Sequence, residues 1–239
     1  MYNSKKILFG FIIFLLINFS SKAQQKNSSV KVIGEMKNVM WKGELQGNIN
    51  LDTIADNSNL YGLGPVEYLT GEVLIIEGKA YQATVVSNTE MKVEETYKIK
   101  APFFGYSAIA EWEERILPDN IQTISDLESY LDKITKSAVR PFMFKLSGKV
   151  KKAKIHIVNL PENTKVSSPK EAHEGQVDYF LKDEKVDIVG FFSTEHQTIF
   201  THHNTFLHMH LITKNRLKMG HLDEVLFKKG KIKLYLPVE

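Results

Sequence analysis

The stretch "FLHMHLITKNRLKMGHL", from Phe206 to Leu222, has the pattern that decides how this part of the chain folds. Alternate residues of a β-strand point to the same face of a sheet. His208 and His210 therefore project together, whereas the apolar residues between and beside them project to the opposite face. The polar segment from Thr213 to Lys218 is typical of a turn. It predicts that the chain reverses direction and brings His221 next to the first two histidines.

The three histidines have the residue type and the spacing of a metal site. Three neutral imidazoles hold zinc and leave one position of its tetrahedron open, which is the arrangement of a catalytic site. The spacing alone leaves a second interpretation open, because histidines also alternate on the solvent face of ordinary strands. We therefore treat His208, His210 and His221 as candidate ligands. Four other histidines are expected in loops or turns, without a role as ligands: His173, His196, His202 and His203.

Most of the remaining chain has the pattern of β-strands. Runs of β-branched and aromatic residues, bounded by turn signals, predict strands and two hairpins, which turn at Gly78–Lys79 and at Ser147–Gly148. The predicted strands are residues 72–77, 80–86, 91–99, 103–112, 142–146, 150–158, 186–192, 206–213, 225–227 and 232–236. The segment 159–175 is polar, contains two prolines and is expected to be a loop.

One segment, "ISDLESYLDKIT" at residues 124–135, has the periodicity of an amphipathic helix. Ser125 and Glu128 match a capping box at its start. Few helices and many strands predict the α+β class, rich in β-structure, with two packed lobes of mixed or antiparallel sheet. The expected lobes are residues 30–137, with the helix, and residues 138–239, with the metal site.

Residues 1–23 are expected to be a secretory signal peptide. An apolar run from Ile7 to Phe19 follows two lysines, and Ser21-Lys22-Ala23 has the small residues of a cleavage site. The run is shorter than the roughly 20 residues that a membrane span needs, although an uncleaved anchor is the alternative. Residues 24–29 are polar and expected to be disordered. The mature protein is expected to be periplasmic or secreted, with no membrane partner.

Charge and cysteine content exclude two further classes of protein, those that bind nucleic acids and those held together by disulfides. The formal net charge of +3 is accounted for by Lys5, Lys6 and Lys22, so the remaining chain is neutral by formal count. It lacks the excess of lysine and arginine that is typical of a nucleic-acid-binding protein, and no nucleic-acid partner is expected. With no cysteine, the exported fold must rest on its core, a metal or oligomerisation rather than on disulfides.

Four blocks of the sequence, in order, resemble the alpha-acetolactate decarboxylase family. The last block, at residues 206–224, is the most specific, because its H-x-H-x10-H spacing agrees with the family's without a gap. The others support it. The four blocks are "YGLGPVEYLTGEVLIIEGKAYQ" (61–82), "FKLSGKVKKAKIHIV" (144–158), "IVGFFST" (188–194) and "FLHMHLITKNRLKMGHLDE" (206–224).

This resemblance implies a function and a set of site residues. The implied reaction is decarboxylation of 2-acetolactate, a small 2-hydroxy-3-oxo acid, to acetoin and CO₂, as in acetoin biosynthesis. The family holds zinc or another divalent metal on its three histidines, a role that falls on His208, His210 and His221. A metal that polarises the ketone and hydroxyl oxygens takes up the electrons of the broken bond, so no organic cofactor is required. The family's active-site glutamate falls on Glu72, and the family's dimers imply a homodimer.

Two departures from the family pattern leave other functions open. The family's active-site arginine falls on His156, which is either catalytic or an ordinary strand residue; Lys152 and Lys154 share its strand face and are candidates to contact the substrate carboxylate. The family also places tail glutamates in its site, for which this sequence offers Glu224 and Glu239. The alternatives are a non-catalytic periplasmic metal-containing relative that binds a small oxo acid, and a decarboxylase or isomerase of a different β-keto acid.

Overall fold

The structure is a computed structural model that describes residues 29–54, 56–199, 201 and 205–238. The predicted signal peptide and nearly all of the predicted disordered segment lie outside the described residues, as do His202, His203 and Glu239. In the part of the chain that is described, none of the helices is long and apolar enough to cross a membrane.

The described residues form mainly β-strands, with three α-helices and two short 3₁₀ turns. The helices are α1 (Met36–Lys42), α2 (Ile124–Ile134) and α3 (Pro169–Ala172). The strands are β1 (Lys31–Ile33), β2 (Ile49–Asn50), β3 (Leu60–Pro65), β4 (Glu72–Ile76), β5 (Lys79–Val85), β6 (Met91–Glu95), β7 (Lys100–Ala101), β8 (Phe104–Ala108), β9 (Trp112–Ile116), β10 (Phe142–Ile157), β11 (Val177–Lys182), β12 (Lys185–Phe192), β13 (Leu207–Thr213) and β14 (Met219–Pro237).

The N-terminal sheet is antiparallel and has the strand order β1-β8-β3-β4-β5-β6. Strands β4 and β5 form a hairpin within it, which confirms the hairpin predicted there. Glu77 and Gly78 have positive φ angles of 52° and 73° in the tight turn. This conformation matches the twist of the paired strands and suits a glycine. All five residues of β4 are buried, so this strand lies in the middle of the molecule.

The C-terminal sheet has the strand order β11-β10-β12-β13-β14-β9. The long strand β10 pairs with β12 along one edge and with β14 along the other, so β10, β12, β13 and β14 form a closed ring of strands. Closure holds β13 and β14 in a fixed register. These are the strands that carry the histidine motif.

The hairpin predicted at Ser147–Gly148 is wrong, because β10 runs straight through these residues as a single strand of 16 residues. Gly148 has a φ of 156°, and a Cβ atom there would lie 1.9 Å from the carbonyl oxygen of Lys231. The glycine therefore permits close approach to β14 rather than a turn. The two separate strands predicted at 225–227 and 232–236 are likewise parts of one strand, β14, whose pairing with β10 contains bulges.

Helix α2 confirms the predicted helix, but its N-terminal cap differs from the predicted one. Thr123 is the N-cap, and its hydroxyl accepts a hydrogen bond from the backbone N–H of Asp126, whose carboxylate accepts one from the N–H of Thr123. Ser125 lies inside the helix. Glu128 instead accepts hydrogen bonds from the Thr205 hydroxyl and, at 2.7 Å, from the backbone N–H of Phe206. The helix thereby fixes the start of β13.

The two sheets pack on each other around one large apolar cluster, which contains Leu63 and Leu74 from the N-terminal sheet and Phe144 and Phe191 from the C-terminal sheet. The α+β class, rich in β-structure and built from two sheets, is therefore confirmed. Strand β9, before the boundary predicted at 137/138, pairs with β14 of the second sheet. The division into lobes at that boundary stays a prediction.

Candidate metal centre

The structure brings His208, His210 and His221 together, as the sequence predicts. His210 on β13 lies directly opposite His221 on β14, and His208 shares the face of His210. One ligand atom from each imidazole can be chosen so that all three lie within 4.8 Å of one another. The residues are 4%, 0% and 7% exposed, respectively. Such a buried cluster excludes the alternative of histidines on a solvent-facing strand.

The turn between β13 and β14 is held by polar contacts rather than by an apolar core. The Thr213 hydroxyl accepts a hydrogen bond from the backbone N–H of Lys218 at 3.0 Å. Asp187 on β12 forms ion pairs with Lys214 (2.6 Å) and Arg216 (3.0 Å). Burial raises the pKa of Asp187, but these hydrogen bonds and charges outweigh burial and leave it below its usual value. The returning strand is thereby fixed in register.

Gly220, which precedes the third histidine, explains how β14 comes so close to β10. A Cβ atom at Gly220 would lie 2.4 Å from the carbonyl oxygen of His156. Because glycine has no Cβ, the backbones approach and His156 pairs directly with His221. Their ring centroids are 4.7 Å apart. Gly220 is thus required for the close packing of β14 against β10 beside the histidine triad.

The hydrogen bond of His210 prepares its ring for a metal. Its Nδ1 lies 2.8 Å from the backbone oxygen of Val73 on β4. A carbonyl oxygen only accepts, so Nδ1 carries the proton and, in the neutral ring, Nε2 carries the lone pair. A metal-binding histidine typically donates its other ring N–H in this way. The three imidazoles therefore fit a divalent metal that takes nitrogen ligands, such as zinc.

Glu72, predicted from the family resemblance, is brought to the histidines by β4. Its carboxylate oxygens lie 3.5 Å from Nε2 of His210 and 4.0 Å from Nε2 of His156. The residue is 3% exposed. Burial raises the pKa of Glu72 well above its usual value, the negative charge of Asp223 adds to this, and the hydrogen bond from the N–H of Val158 opposes it. A carboxyl group in this environment favours the protonated form.

His156 lies beside the triad, and its partner is a residue that the sequence analysis did not single out. The Nδ1 atom of His156 is 2.8 Å and 2.9 Å from the two carboxylate oxygens of Asp223. Glu224, the candidate named from sequence, is exposed. Asp223 falls at a bulge in the pairing of β14 with β10, so alternation along the strand does not predict which way these two side chains point.

The two candidate lysines lie further along β10. Lys152 is exposed, and Lys154 forms an ion pair with Asp178 at 2.9 Å that raises the pKa of the lysine. Both line a surface groove of about 570 Å³, together with the exposed ring of Phe180. Their contact with a substrate carboxylate stays a prediction, as do the catalytic roles of Glu72 and His156.

A smaller cavity of about 270 Å³ touches one member of the triad, His221. His221 and Asp223 line it from β14, and Met209 lines it from β13. The ring of Phe103, 6.1 Å from the ring of His208, covers the histidines on another side. The arrangement offers three nitrogen ligands, a buried carboxyl and an oriented imidazole. It is suited to polarising a carbonyl group and delivering a proton.

Comparisons with known proteins point to one family. The family model for alpha-acetolactate decarboxylase matches residues 34–236. An alpha-acetolactate decarboxylase of Lactococcus lactis subsp. cremoris is 25% identical over 201 residues, which cover 80% of this chain and 78% of that protein. Its counterpart in Lactococcus lactis subsp. lactis is 24% identical over the same share of both chains.

Solved structures share the fold. The acetolactate decarboxylase of Bacillus subtilis subspecies spizizenii is similar with a TM-score of 0.74 at 19% identity, covering 88% of this chain and 86% of that chain. A Staphylococcus aureus protein described as similar to alpha-acetolactate decarboxylase has a TM-score of 0.71 at 18% identity, with the same coverage. At these identities the likeness concerns the fold alone.

Proposed function

We propose, from the premise that the chain belongs to the alpha-acetolactate decarboxylase family, that it is a carboxy-lyase that converts 2-acetolactate to acetoin and CO₂. The observation that carries the proposal is the convergence of the buried histidine triad with Glu72 from the other sheet. A purely structural metal site is closed by four protein ligands. Here three histidines lie beside a buried carboxyl, and three imidazoles alone would leave one position of a tetrahedral metal open.

The triad would hold one divalent metal, and we propose zinc because all three ligands are imidazoles. A bound divalent cation would supply Lewis-acid polarisation of the substrate's ketone and hydroxyl oxygens. The chain's own part is to fix the ligands before substrate arrives. The hydrogen bond from His210 to the Val73 carbonyl and the ion pairs of Asp187 at the β13–β14 turn do this.

Glu72 would act as the proton donor. In the reaction the bond between C2 and the carboxylate carbon breaks, CO₂ leaves, and the electron pair passes toward the neighbouring ketone. One proton must then be added to carbon to give acetoin. Glu72 is buried, and burial raises its pKa well above the usual value of a carboxyl group, which favours the protonated form that a donor needs. A donor with a pKa near the working pH is the most effective general acid.

His156 would contact the substrate from the side of β10. Its Nε2 atom lies on the same side as Glu72, and its ring is tilted against His221. A substrate bound at the triad next to Glu72 would therefore meet this ring. Lys154, held by Asp178, would add positive charge further along the strand, and Lys152 would do the same in solvent.

Export and assembly are further parts of the proposal. The N-terminal pattern supports removal of residues 1–23 and a periplasmic or secreted protein. Mass spectrometry of the secreted chain should find Gln24 as its first residue. The family resemblance supports a homodimer, which sedimentation of the mature protein would detect as twice the chain mass; a monomer at micromolar concentration would contradict it.

The function is tested by loading the mature protein with zinc and supplying racemic 2-acetolactate. Acetoin and CO₂ should form faster than in the spontaneous reaction, and chelation of the metal should abolish the difference. A parallel panel of other β-keto acids, monitored for CO₂ and for isomerised product, decides the substrate. If the protein converts another acid but not acetolactate, that other reaction is its function. If it binds the metal but converts none of the acids, it is a binding protein.

A further inference from the structure

We infer that Asp223 is a positioning residue, which fixes the ring orientation and tautomer of His156 so that its Nε2 atom faces the space between Glu72 and the histidine triad. The inference deepens the proposed function and rests on it for the catalytic consequence. The geometry of the pair itself stands on described contacts. Neither residue is one of the three candidate metal ligands.

The first step is the contact between the two side chains. Both carboxylate oxygens of Asp223 lie within hydrogen-bond distance of one ring nitrogen, Nδ1 of His156, at 2.8 Å and 2.9 Å. A carboxylate accepts only, so Nδ1 must carry the proton. The ring can then present only Nε2 to other groups. This carboxylate–imidazole contact is the same device that orients metal-binding and catalytic histidines in proteins.

The second step is where Nε2 points. It lies 4.0 Å from a carboxylate oxygen of Glu72, on the inner side of β10. The ring is flanked by His221 at 4.7 Å and by His173 at 5.9 Å between centroids. Rotation of the ring by half a turn would exchange the two nitrogens and aim Nδ1 inward. The contact with Asp223 opposes that rotation.

The third step is why Asp223 is suited to this task. It lies two residues after His221 on β14, at a bulge in the pairing of β14 with β10, so the strand that delivers the third histidine also delivers the carboxylate. Its side chain is 25% exposed, against 6% for His156, and it lines a cavity that His221 also lines. The nearby Lys154 has its own partner, Asp178, at 2.9 Å. The carboxylate of Asp223 is therefore directed at the histidine.

The test compares Asp223→Leu, which removes the acceptor, with Asp223→Asn, whose amide oxygen can still accept from Nδ1. Glu224→Gln is the matched control, because it changes the next residue on the exposed side of the same strand. The first measurement is ¹⁵N NMR of histidine-labelled, zinc-loaded protein, with the His156 signals assigned from His156→Ala. We expect the Nδ1–H tautomer in the wild type and control, its loss in Asp223→Leu, and its recovery in Asp223→Asn.

The second measurement is a double-mutant cycle on kcat/KM for acetolactate. Asp223→Leu should lower kcat/KM by about 10- to 100-fold, the range typical of such outer partners, with zinc content unchanged. In the His156→Ala background the same substitution should have little further effect, since Asp223 acts through His156. An unchanged tautomer in Asp223→Leu, or equal losses in both backgrounds, would overturn the inference. If the wild type lacks decarboxylase activity the proposed function fails, whereas the NMR result still decides the positioning role.

Discussion

Nε2 of His210 on β13 and a carboxylate oxygen of Glu72 on β4 lie 3.5 Å apart, across the interface between the two sheets. The same histidine donates a hydrogen bond to the backbone of Val73, the next residue of β4. The candidate metal ligands thus come from one sheet and the acidic group from the other. The site exists only when both sheets are packed, so packing and chemistry are coupled in this fold.

Removal of one ligand should abolish metal binding. His208→Ala leaves two imidazoles, which do not hold zinc tightly, because each ligand contributes to the coordination. We expect about one zinc per chain in the wild type and close to none in the variant after dialysis, measured by elemental analysis. His196→Ala is the control, since His196 contacts Ser193 in a turn and is not in the triad. Unchanged zinc in His208→Ala would contradict the ligand assignment.

Gly220→Ala should weaken zinc binding without changing any ligand. The new Cβ atom would collide with the His156 carbonyl oxygen, which lies 2.4 Å from its position, so β14 must move away from β10. We expect a loss of about 1–3 kcal/mol in the free energy of unfolding, as for other overpacked sites, and weaker zinc affinity. Titration calorimetry and urea unfolding measure the two effects.

Gly230→Ala, in the same strand, is the matched control for that clash. Its new Cβ atom would lie 3.7 Å from a carboxylate oxygen of Asp119, although the φ of 62° strains an alanine. It should cost about 1 kcal/mol of stability and leave the zinc affinity unchanged. Equal zinc affinities of the wild type and the Gly220 variant would show that close approach of β10 and β14 is not needed for the site.

Asp187→Asn should loosen the β13–β14 turn in a pH-dependent manner. The pKa of Asp187 is lowered in the folded protein, so its ion pairs stabilise the fold above the unfolded pKa of about 3.9. This stabilisation is lost as the pH falls through the lower, folded pKa. At pH 7 the variant should lose about 1–2 kcal/mol, a modest value because Lys214 is half exposed.

Urea unfolding at pH 7 and at progressively lower pH tests the Asp187 prediction. The difference between the wild type and Asp187→Asn should shrink below pH 4. Asp183→Asn provides the comparison, because Asp183 is exposed and 3.7 Å from Lys149, and it should change stability by less than about 0.5 kcal/mol. A difference that persists undiminished at the lowest pH would argue against the ion pairs as its source.

The cap of α2 can be tested with two neighbouring hydroxyl residues. Thr123→Ala should cost about 1 kcal/mol, because it removes the acceptor for the Asp126 N–H. Ser125→Ala should be neutral or slightly stabilising, since Ser125 lies inside the helix and alanine is the better helix former. Thermal unfolding of both variants measures the two changes in stability. A larger loss for Ser125→Ala than for Thr123→Ala would indicate that Ser125, as expected from the sequence, is the N-cap.

Local periodicity explains which parts of this structure were predictable from sequence. Strand alternation places His208 and His210 on one face, and the polar turn returns His221 to them. The β4–β5 hairpin was predictable because its two strands are adjacent and its turn is short. Glu72, by contrast, arrives from another sheet, and only the family resemblance pointed to it.

The errors arose where one residue type serves two purposes. Gly148 can indicate a turn or a close approach of two strands, and only the position of β14 decides between them. Ser125 and Glu128 match a capping box, but Glu128 is used to hold Phe206, a contact between distant parts of the chain. Asp223 was overlooked because its partner, His156, lies on a neighbouring strand rather than nearby in sequence.

The central claim is that a metal centre between the sheets uses Glu72 to decarboxylate acetolactate. The most direct measurement compares zinc-matched wild type and Glu72→Gln for acetoin formation in a single turnover, with the exposed Glu95→Gln as control. We expect Glu72→Gln to bind zinc as the wild type does but to form acetoin about 10²- to 10⁴-fold more slowly, the usual contribution of a positioned general acid. Equal rates for wild type and Glu72→Gln at equal zinc content, or a wild-type rate no faster than the spontaneous one, would contradict the claim.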